Sequence, residues 1–369
     1  MKILVINPGS TSTKLAIFHD DKPVWTGGAH LPLDELAKFH RIIDQYEYRR
    51  DFILKKLEEE NIKLDFDAVI GRGGLLCPMR GGVYLVNEKM KTDLLAASHE
   101  HACNLGALIA DEIARKCDCP AYIADPVVVN EFDTRARISG IPGLERESIF
   151  HALNQKAVSR QYAASIDKKY EDLNLIVAHL GGGISIGAHR HGRVIDVNNA
   201  LNGEGPISPE RAGTVPAEAL VNMCFSGKYS DREIRKMIHG RGGLVAYLGT
   251  NDMVTIDSKA EKGEEPYSTL VEAMLYTVAK QIGAMYVALA GQVDAIILTG
   301  GIAHSKFCVE GIKKQIDYLA PIVVMPGENE MKSLAFNALG ALRGELPVQE
   351  YTGISCVEKL KLTVDEELA

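Results

Sequence analysis

One pattern of apolar and polar positions occurs twice along the chain. Each copy consists of an apolar strand, a glycine-containing turn rich in small polar residues, and a second apolar strand, which predicts a β-hairpin. The copies span residues 3–18 and 175–189. Glycines let backbone N–H groups converge on an anion, and Ser, Thr and Lys14 side chains add donors in the first copy. Either turn alone is also typical of an ordinary hairpin, but the repetition favours two phosphate-binding turns.

The segments outside the hairpins alternate between helical periodicity and short apolar strands. This alternation indicates an α/β layered structure. Helices are predicted over residues 33–60, 90–114, 268–290 and 332–346. Strands are predicted over residues 68–70, 121–124, 194–197, 294–303 and 322–325.

The two similar halves fit the duplicated fold of sugar kinases, heat-shock ATPases and actin. Such a protein has two lobes, each with a central mixed β-sheet flanked by helices, which hinge around a nucleotide. We expect an N-terminal lobe over residues 1–140 with the substrate site and the first turn. A C-terminal lobe over residues 141–329 is expected to hold the second turn and the adenosine site. The segment 330–369 is expected to pack back on the N-terminal lobe.

Composition narrows the class of protein. A chain of 369 residues with 46% hydrophobic and 24% charged residues is typical of a globular protein of two domains. The formal charge of −8 argues against a nucleic-acid partner. The seven cysteines lack a paired C-x-x-C spacing, which favours reduced thiols. The chain carries no signal-peptide pattern and no membrane-spanning stretch, so we expect a cytoplasmic protein without a membrane partner.

A set of short motifs carries a resemblance to a known family. The motifs lie at residues 7–14, 71–74, 132–134, 150–151, 179–183, 210–213 and 299–303. In this order they recur in kinases of short-chain carboxylic acids, and the sequence resembles the acetate kinase family, particularly its butyrate kinase branch. The likeness covers nearly all of residues 1–348.

The resemblance implies roles for residues that contact the reacting groups. Arg72 corresponds to the arginine that binds the substrate carboxylate, which suits the forked donors of a guanidinium. Arg211 corresponds to the catalytic arginine beside the transferring phosphoryl group, and His151 and His179 to histidines that donate to its oxygens. Phe150, next to His151, is expected to form one wall of the acid pocket.

Asp133 matches the family's catalytic aspartate. A carboxylic acid is already ionised at about pH 7, so this reaction needs no general base. Asp133 is therefore expected to orient Mg²⁺, its water shell or Arg211, and a turn or N-cap aspartate is the plain alternative. Asn7 and Glu330 match positions associated with Mg²⁺, and Glu328 is an alternative to Glu330.

The same resemblance implies a nucleotide site. Two positions depart from acetate kinase: Gly182 replaces an asparagine, and Val254 stands where that enzyme has a nucleotide-side arginine. Both departures suit the butyrate branch and leave the preferred nucleotide open. The expected nucleotide and phosphate contacts are Asn7, Ser10, Ser12, Lys14, His179, Gly181, Gly182, Gly183, Asp252, Gly300, Gly301 and Ile302.

The expected activity is direct, reversible in-line transfer of a phosphoryl group from ATP to butyrate or a similar short or branched acid, giving an acyl phosphate and ADP. In fermenting cells the reverse direction would make ATP. Alternatives are an acetate or propionate kinase, a sugar kinase that uses Asp133 as a base, and a nucleotide-binding regulator without chemistry. The resemblance also implies a homo-oligomer.

Overall fold

The computed structural model describes residues 1–9, 11–97, 101–358 and 360. Within these residues the chain forms two compact units. The first comprises residues 1–130 and 329–358, and the second comprises residues 131–328. Each unit has a mixed β-sheet flanked by helices, so the predicted duplicated α/β fold is confirmed.

The strands of both sheets are short and mostly buried. They are β1 (Lys2–Pro8), β2 (Ser12–His19), β3 (Lys22–His30), β4 (Ala68–Arg72), β5 (Val83–Leu85), β6 (Ala121–Ala124), β7 (Asn174–Leu180), β8 (Ile184–Arg190), β9 (Arg193–Val197), β10 (Ala295–Gly300), β11 (Ile322–Pro326) and β12 (Val348–Glu350).

The α-helices differ widely in length. They are α1 (Leu33–Leu36), α2 (Tyr46–Glu59), α3 (Glu88–Leu95), α4 (Asn104–Cys117), α5 (Thr134–Arg137), α6 (Ala152–Ser165), α7 (Ala217–Cys224), α8 (Asp231–Ile238), α9 (Leu244–Leu248), α10 (Met253–Glu261), α11 (Tyr267–Ala288), α12 (Lys306–Ile316) and α13 (Glu330–Leu342). Short 3₁₀ helices lie at Ile43–Gln45, Tyr170–Asp172 and Gly301–His304.

The sheet of the first unit has the strand order β12-β5-β6-β4-β1-β2-β3. The pair β1–β2 is the first predicted hairpin, and β1 also pairs in parallel with β4. Residues Ile3 to Ile6 are completely buried, because α4 and α13 pack against β1 and β4. A continuous apolar run is typical of such a covered central strand.

The sheet of the second unit has the order β11-β10-β7-β8-β9. The pair β7–β8 is the second predicted hairpin, and β7 pairs in parallel with β10. Helix α11 packs on β7 and β8 through one apolar face that includes Val271, Met274 and Ile282. The two units therefore repeat one arrangement: a hairpin whose first strand is central and has a parallel neighbour.

Several elements differ from the sequence prediction. The helix predicted over residues 90–114 is two helices, α3 and α4, and the helix predicted from residue 332 begins at Glu330. Strands β3, β5 and β12 and helices α5–α10 and α12 were not predicted. The two three-residue strands β5 and β12 are too short to give a periodic signal.

The units divide at residue 130 and not at residue 140, the boundary expected from the sequence. Residues 131–140 group with the second unit because the Asp133 backbone N–H donates to the Ile195 carbonyl, and Glu131 pairs with Lys156 at 2.9 Å. Helix α13 belongs to the first unit, and residues 361–369 of the predicted terminal segment lie outside the described residues. In the described part of the chain, none of the helices combines the length and apolarity needed to cross a bilayer.

Candidate active site

The first glycine turn connects β1 to β2. The Gly9 N–H donates to the Ser12 carbonyl at 2.7 Å and closes the turn. Asn7 and Lys14 face each other across the strand pair, and Lys14 is exposed without an ion pair to another described residue. The ammonium of Lys14 is therefore available to an anionic ligand. Ser10 of the predicted phosphate contacts lies outside the described residues.

Arg49 of α2 supports this turn by a hydrogen bond to its backbone. This residue was not predicted from the sequence. Its side chain is only 1% exposed. The Nη1 atom donates to the Gly9 carbonyl at 2.8 Å, and Nε and Nη2 donate to Gln45 Oε1 at 3.0 and 2.8 Å. Burial lowers the pKa of the Arg49 guanidinium from its usual value. An arginine in an amphipathic helix is normally a solvated residue, so the sequence pattern did not indicate this role.

Arg72, Asn7 and Glu330 form one hydrogen-bonded group. Arg72 ends β4 and Asn7 lies near the end of β1, and adjacent parallel strands bring their carboxyl ends to the same edge. Glu330, in the first turn of α13, accepts from Asn7 Nδ2 at 2.6 Å and from Arg72 Nη1 at 3.1 Å. Among the described residues, the hydrogen bonds of Arg72 use only Nη1, which leaves its other N–H groups for a ligand.

The second glycine turn connects β7 to β8. The Gly181 N–H donates to the Gly183 carbonyl at 3.2 Å, and the Gly182 carbonyl accepts from Ser208 Oγ at 2.8 Å. A Cβ atom at Gly183 would overlap Nη1 of Arg211. The glycine therefore leaves the space in which the Arg211 guanidinium lies.

Arg211 is largely buried and incompletely satisfied. Its Nη1 donates to the Ala200 carbonyl, whereas its Nε is buried without a hydrogen-bond partner among the described residues. Burial lowers the pKa of Arg211, and the neighbouring Glu210 opposes this effect. A buried donor without a partner is costly, and an anionic oxygen would satisfy it. Arg211 is thus suited to bind an anion beside the second turn.

His151 and His179 stack on each other next to this turn. Their ring centroids are 3.8 Å apart and the rings are tilted by 9°. His179 is buried, with Nδ1 at 2.8 Å from Asn154 Oδ1 and Nε2 at 3.0 Å from Glu328 Oε1. His151 Nδ1 lies 2.8 Å from Ser185 Oγ. Both rings are thereby held in fixed orientations.

Asp133 has an arginine partner that the sequence analysis did not name. Its Oδ2 accepts from Arg190 Nη2 at 2.7 Å, and Arg135 lies 3.7 Å away. Asp133 is the N-cap residue of α5, although its side chain makes no capping hydrogen bond. In the described part of the second unit its carboxylate contacts Arg190 rather than Arg211, and its expected role in orienting Mg²⁺, its water shell or Arg211 stays a prediction.

The residues expected on the adenosine side have structural roles of their own. Asp252 is the N-cap of α10, and hydrogen bonds from Thr255 and from the Val254 N–H lower the pKa of its carboxyl. Gly300 ends β10 at φ +90°, where a Cβ would overlap the Leu180 carbonyl. Gly301 is open on its Cβ side, whereas Ile302 and Phe150 are buried.

Each of the two related α/β units has a glycine turn with an arginine guanidinium against it, and with the strand topology this arrangement is typical of the duplicated α/β fold of kinases. The chain belongs to the acetokinase family, whose sequence model matches residues 143–329. The family resemblance seen in the sequence motifs is thereby confirmed.

Two curated proteins and one crystal structure are similar over most of this chain. A probable butyrate kinase of Phocaeicola vulgatus is 70% identical over 351 residues, which are 95% of this chain and 99% of that protein. A probable butyrate kinase of Bacteroides thetaiotaomicron is 55% identical over 352 residues, which are 95% of this chain and 100% of that protein. The acetate kinase structure of Porphyromonas gingivalis has a TM-score of 0.76 at 18% identity, covering 91% of this chain and 98% of that one. At that identity the likeness concerns the fold.

Replacing Arg49 by methionine is predicted to loosen the first glycine turn. The Gly9 carbonyl and Gln45 lose their buried donor, so the free energy of unfolding should fall by about 2 kcal/mol. Hydrogen–deuterium exchange at residues 11–13 should become faster. Arg50→Met is the matched control, because Arg50 is the next residue of α2 but pairs with Asp51 and Glu112 near the surface. Its loss should cost at most about 1 kcal/mol, and equal effects of the two variants would contradict this role of Arg49.

Proposed function

We propose that this chain is an ATP-dependent kinase of short-chain carboxylic acids, with butyrate or a similar short or branched acid as substrate. The observation that carries the proposal is Arg211, whose buried Nε has no hydrogen-bond partner among the described residues and whose guanidinium lies against the second glycine turn. A transferring phosphoryl group supplies the anionic oxygens that this donor needs. The choice of butyrate is supported by the two relatives named probable butyrate kinase, which match nearly the full chain.

In the proposed reaction, a carboxylate oxygen attacks the γ-phosphorus of ATP. The bond from that phosphorus to the bridging oxygen breaks, and ADP leaves with the electron pair. Arg72 binds the carboxylate, whereas Arg211, His151 and His179 donate to the oxygens of the transferring group. Phe150 is proposed to bound the acid pocket. The nucleophile is already anionic, so no side chain has to remove a proton.

Asp133 is proposed as a positioning residue in this mechanism. Its carboxylate holds Arg190 at 2.7 Å in the structure. A carboxylate bound to a guanidinium is an acceptor of hydrogen bonds and orients its partner. This arrangement favours a carboxylate kinase over a sugar kinase, because a sugar hydroxyl would need Asp133 as its base.

Mg²⁺ is proposed to bind with the nucleotide. Among the described residues, no group of three or more His, Cys, Asp or Glu side chains is arranged as a metal site. Mg²⁺ in kinases is usually held by one or two carboxylates together with substrate phosphates, which fits the adjacent Asn7 and Glu330. Bound there, the cation would neutralise charge on the phosphates. Glu328 instead pairs with His179, so we favour Glu330 as the metal residue.

The remaining nucleotide contacts are proposed from the family resemblance. We expect the first turn with Ser12 and Lys14 to bind the phosphates. The proposed second phosphate contact is the turn of Gly181, Gly182 and Gly183, and the proposed adenosine contacts are Asp252, Gly300, Gly301 and Ile302.

A cytoplasmic location and a homo-oligomeric state remain predictions.

The proposed substrate is tested by a series of acids of increasing length. Wild-type protein would be incubated with ATP, Mg²⁺ and acetate, propionate, butyrate, valerate, isobutyrate or isovalerate, and the acyl phosphate trapped with hydroxylamine. We expect the highest kcat/KM with butyrate or the branched acids. A maximum at acetate or propionate would identify the alternative kinase. ATP binding without any acyl hydroxamate would contradict an enzymatic role and favour a regulator.

The two arginines are predicted to affect different kinetic constants. Arg72→Ala should raise the KM for butyrate at least tenfold with a smaller change in kcat, because it removes ground-state binding of the carboxylate. Arg211→Ala should lower kcat by about 10²–10³ with a smaller effect on KM, because it removes a donor to the transition state. Steady-state kinetics of both variants measures the difference. Arg232→Ala, at an exposed arginine of α8, is the control and should behave as wild type. Near-normal kinetics in both test variants would contradict the assigned roles.

Gly183→Ala is predicted to displace the Arg211 guanidinium. The added methyl group would occupy the position of Nη1, so kcat should fall nearly as far as in Arg211→Ala. Gly182→Ala is the matched comparison, since its Cβ would lie 3.4 Å from the Glu210 carboxyl carbon and would need only a small adjustment. Its loss of kcat should be at least tenfold smaller. If the two alanine variants lost kcat equally, the packing of Arg211 against Gly183 would not explain the glycine.

A further inference from the structure

A chain of hydrogen-bonded side chains lies behind His151 in the interior of the second unit. It runs from His151 through Ser185, Gln155 and His189 to Tyr170. Ser185, Gln155 and His189 are completely buried, and Tyr170 is 3% exposed. None of these four residues was singled out in the sequence, and the mechanism above does not use them. Buried polar side chains are costly unless each hydrogen bond is made, so the directions of these bonds are constrained.

The backbone carbonyl of Ser185 fixes the orientation of the Gln155 amide. A carbonyl oxygen only accepts, so the Gln155 atom at 3.0 Å from it must be the amide nitrogen. The same nitrogen donates its second hydrogen to Ser185 Oγ at 2.9 Å. The amide oxygen of Gln155 therefore faces His189 Nε2 at 2.9 Å, and that ring nitrogen must donate.

The far end of the chain is consistent with this direction. With the hydrogen on Nε2, His189 accepts through Nδ1 from the Tyr170 hydroxyl at 2.6 Å. Burial lowers the pKa of His189 well below its ordinary value, and the positive charges of Lys156 and Arg160 act in the same direction. Ser159 lies 3.4 Å from the same Nδ1, but its hydroxyl donates to the Gln155 carbonyl instead. The neutral His189 ring thus donates from Nε2 to Gln155 Oε1 and accepts at Nδ1 from the Tyr170 hydroxyl.

Ser185 lies between Gln155 and His151 and hydrogen-bonds to both side chains. Its oxygen has two lone pairs. One accepts from Gln155 Nε2, and the other faces the backbone N–H of His151 at 3.4 Å. The hydroxyl hydrogen of Ser185 then points to His151 Nδ1, which lies 2.8 Å from Ser185 Oγ. His151 Nδ1 is therefore an acceptor, and the ring hydrogen is on Nε2.

Gly187 makes room for the chain. Ser185, Gly187 and His189 alternate along β8 and so lie on one face of the strand. A Cβ at Gly187 would lie 2.6 Å from Gln155 Oε1 and 3.1 Å from His189 Nε2. The Gln155 amide occupies the space above this glycine, between the serine and the histidine. A side chain at position 187 would separate the two parts of the chain.

We propose that Ser185, Gln155, His189 and Tyr170 are positioning residues that hold His151 in the neutral tautomer with its hydrogen on Nε2. This inference rests on the proposed function, in which His151 donates to the transferring phosphoryl group. A ring with its only hydrogen on Nδ1 has no such donor at Nε2. The network therefore prepares the donor before substrates bind, which is how buried second-layer hydrogen bonds raise catalytic efficiency.

The charged groups around the two histidines are paired within the second unit. Lys156, near His189, forms an ion pair with Glu131 at 2.9 Å. The ring stacked on His151 is His179, whose Nε2 lies 3.0 Å from Glu328. The tautomer of His151 is compared between variants at one fixed pH.

Nitrogen-15 NMR of the histidine side chains tests the tautomer directly. Full-length protein with ¹⁵N-labelled histidine would be measured without substrates, and the His151 signals assigned by their absence in His151→Gln. We expect the nitrogen shifts and couplings of a ring protonated only at Nε2. A wild-type ring protonated at Nδ1, or equally at both positions, would overturn the inference even if every variant failed to fold.

Two variants test whether the chain sets this state. Ser185→Ala removes the donor to Nδ1, and Gly187→Ala keeps every polar group but displaces Gln155. In both, the ¹⁵N shifts of His151 should move toward a mixture of tautomers, and kcat should fall about fivefold or more while KM for ATP and butyrate changes less than twofold. Ser159→Ala is the matched control: a buried serine of the same cluster whose hydrogen is used elsewhere, so it should leave both measurements unchanged.

The outcomes separate this inference from the proposed function. An unchanged His151 spectrum in Ser185→Ala and Gly187→Ala would overturn the inference, because neutral histidine in water already prefers the Nε2 hydrogen. An altered spectrum with unchanged kcat would overturn the catalytic use of the tautomer. A wild-type protein with the expected spectrum that forms no acyl phosphate would contradict the proposed function and leave the tautomer assignment in place.

Discussion

An arginine guanidinium lies against each of the two glycine turns, and the candidate binding role of each turn depends on how that guanidinium is satisfied. A buried charge is tolerated only where hydrogen bonds replace its water. Arg49 finds acceptors in the Gly9 carbonyl and in Gln45, which ties the first turn to α2. Arg211 fills the space left by Gly183 but keeps a buried Nε without a partner among the described residues. One arginine is thus structural, and the other is arranged for a ligand.

The hairpins and central strands could be predicted from the sequence because their signals are local. An apolar run followed by a glycine turn and a second apolar run predicts a hairpin, and β1–β2 and β7–β8 form as expected. The motifs that carry the family resemblance lie at the ends of such strands. Arg72 follows β4, and His179 lies near the end of β7. The candidate site was therefore visible as a set of residue types at strand ends.

The partners of these residues could not be predicted, because they come from distant parts of the chain. Asn7 and Glu330 are separated by 323 positions, and His179 and Glu328 by 149. A sequence pattern without an alignment contains no information on such pairs. Glu328 and Glu330 illustrate why such partners cannot be predicted from sequence position. Two glutamates that are neighbours in sequence contact different residues, since α13 begins between them and belongs with the first unit.

Selectivity for one acid requires contacts beyond those that bind its carboxylate, because all the candidate acids share that group. In the proposed reaction Arg72 offers the same donors to acetate, propionate and butyrate, so it cannot distinguish them. Each additional methylene gains about 0.8 kcal/mol on burial, or roughly fourfold in binding. A longer pocket therefore gives a modest preference, and rejection of a longer acid requires a wall that it cannot displace. Phe150, which is buried beside His151, is the residue proposed for such a wall. The proposed preference for butyrate therefore requires a rigid pocket wall that stops longer acids.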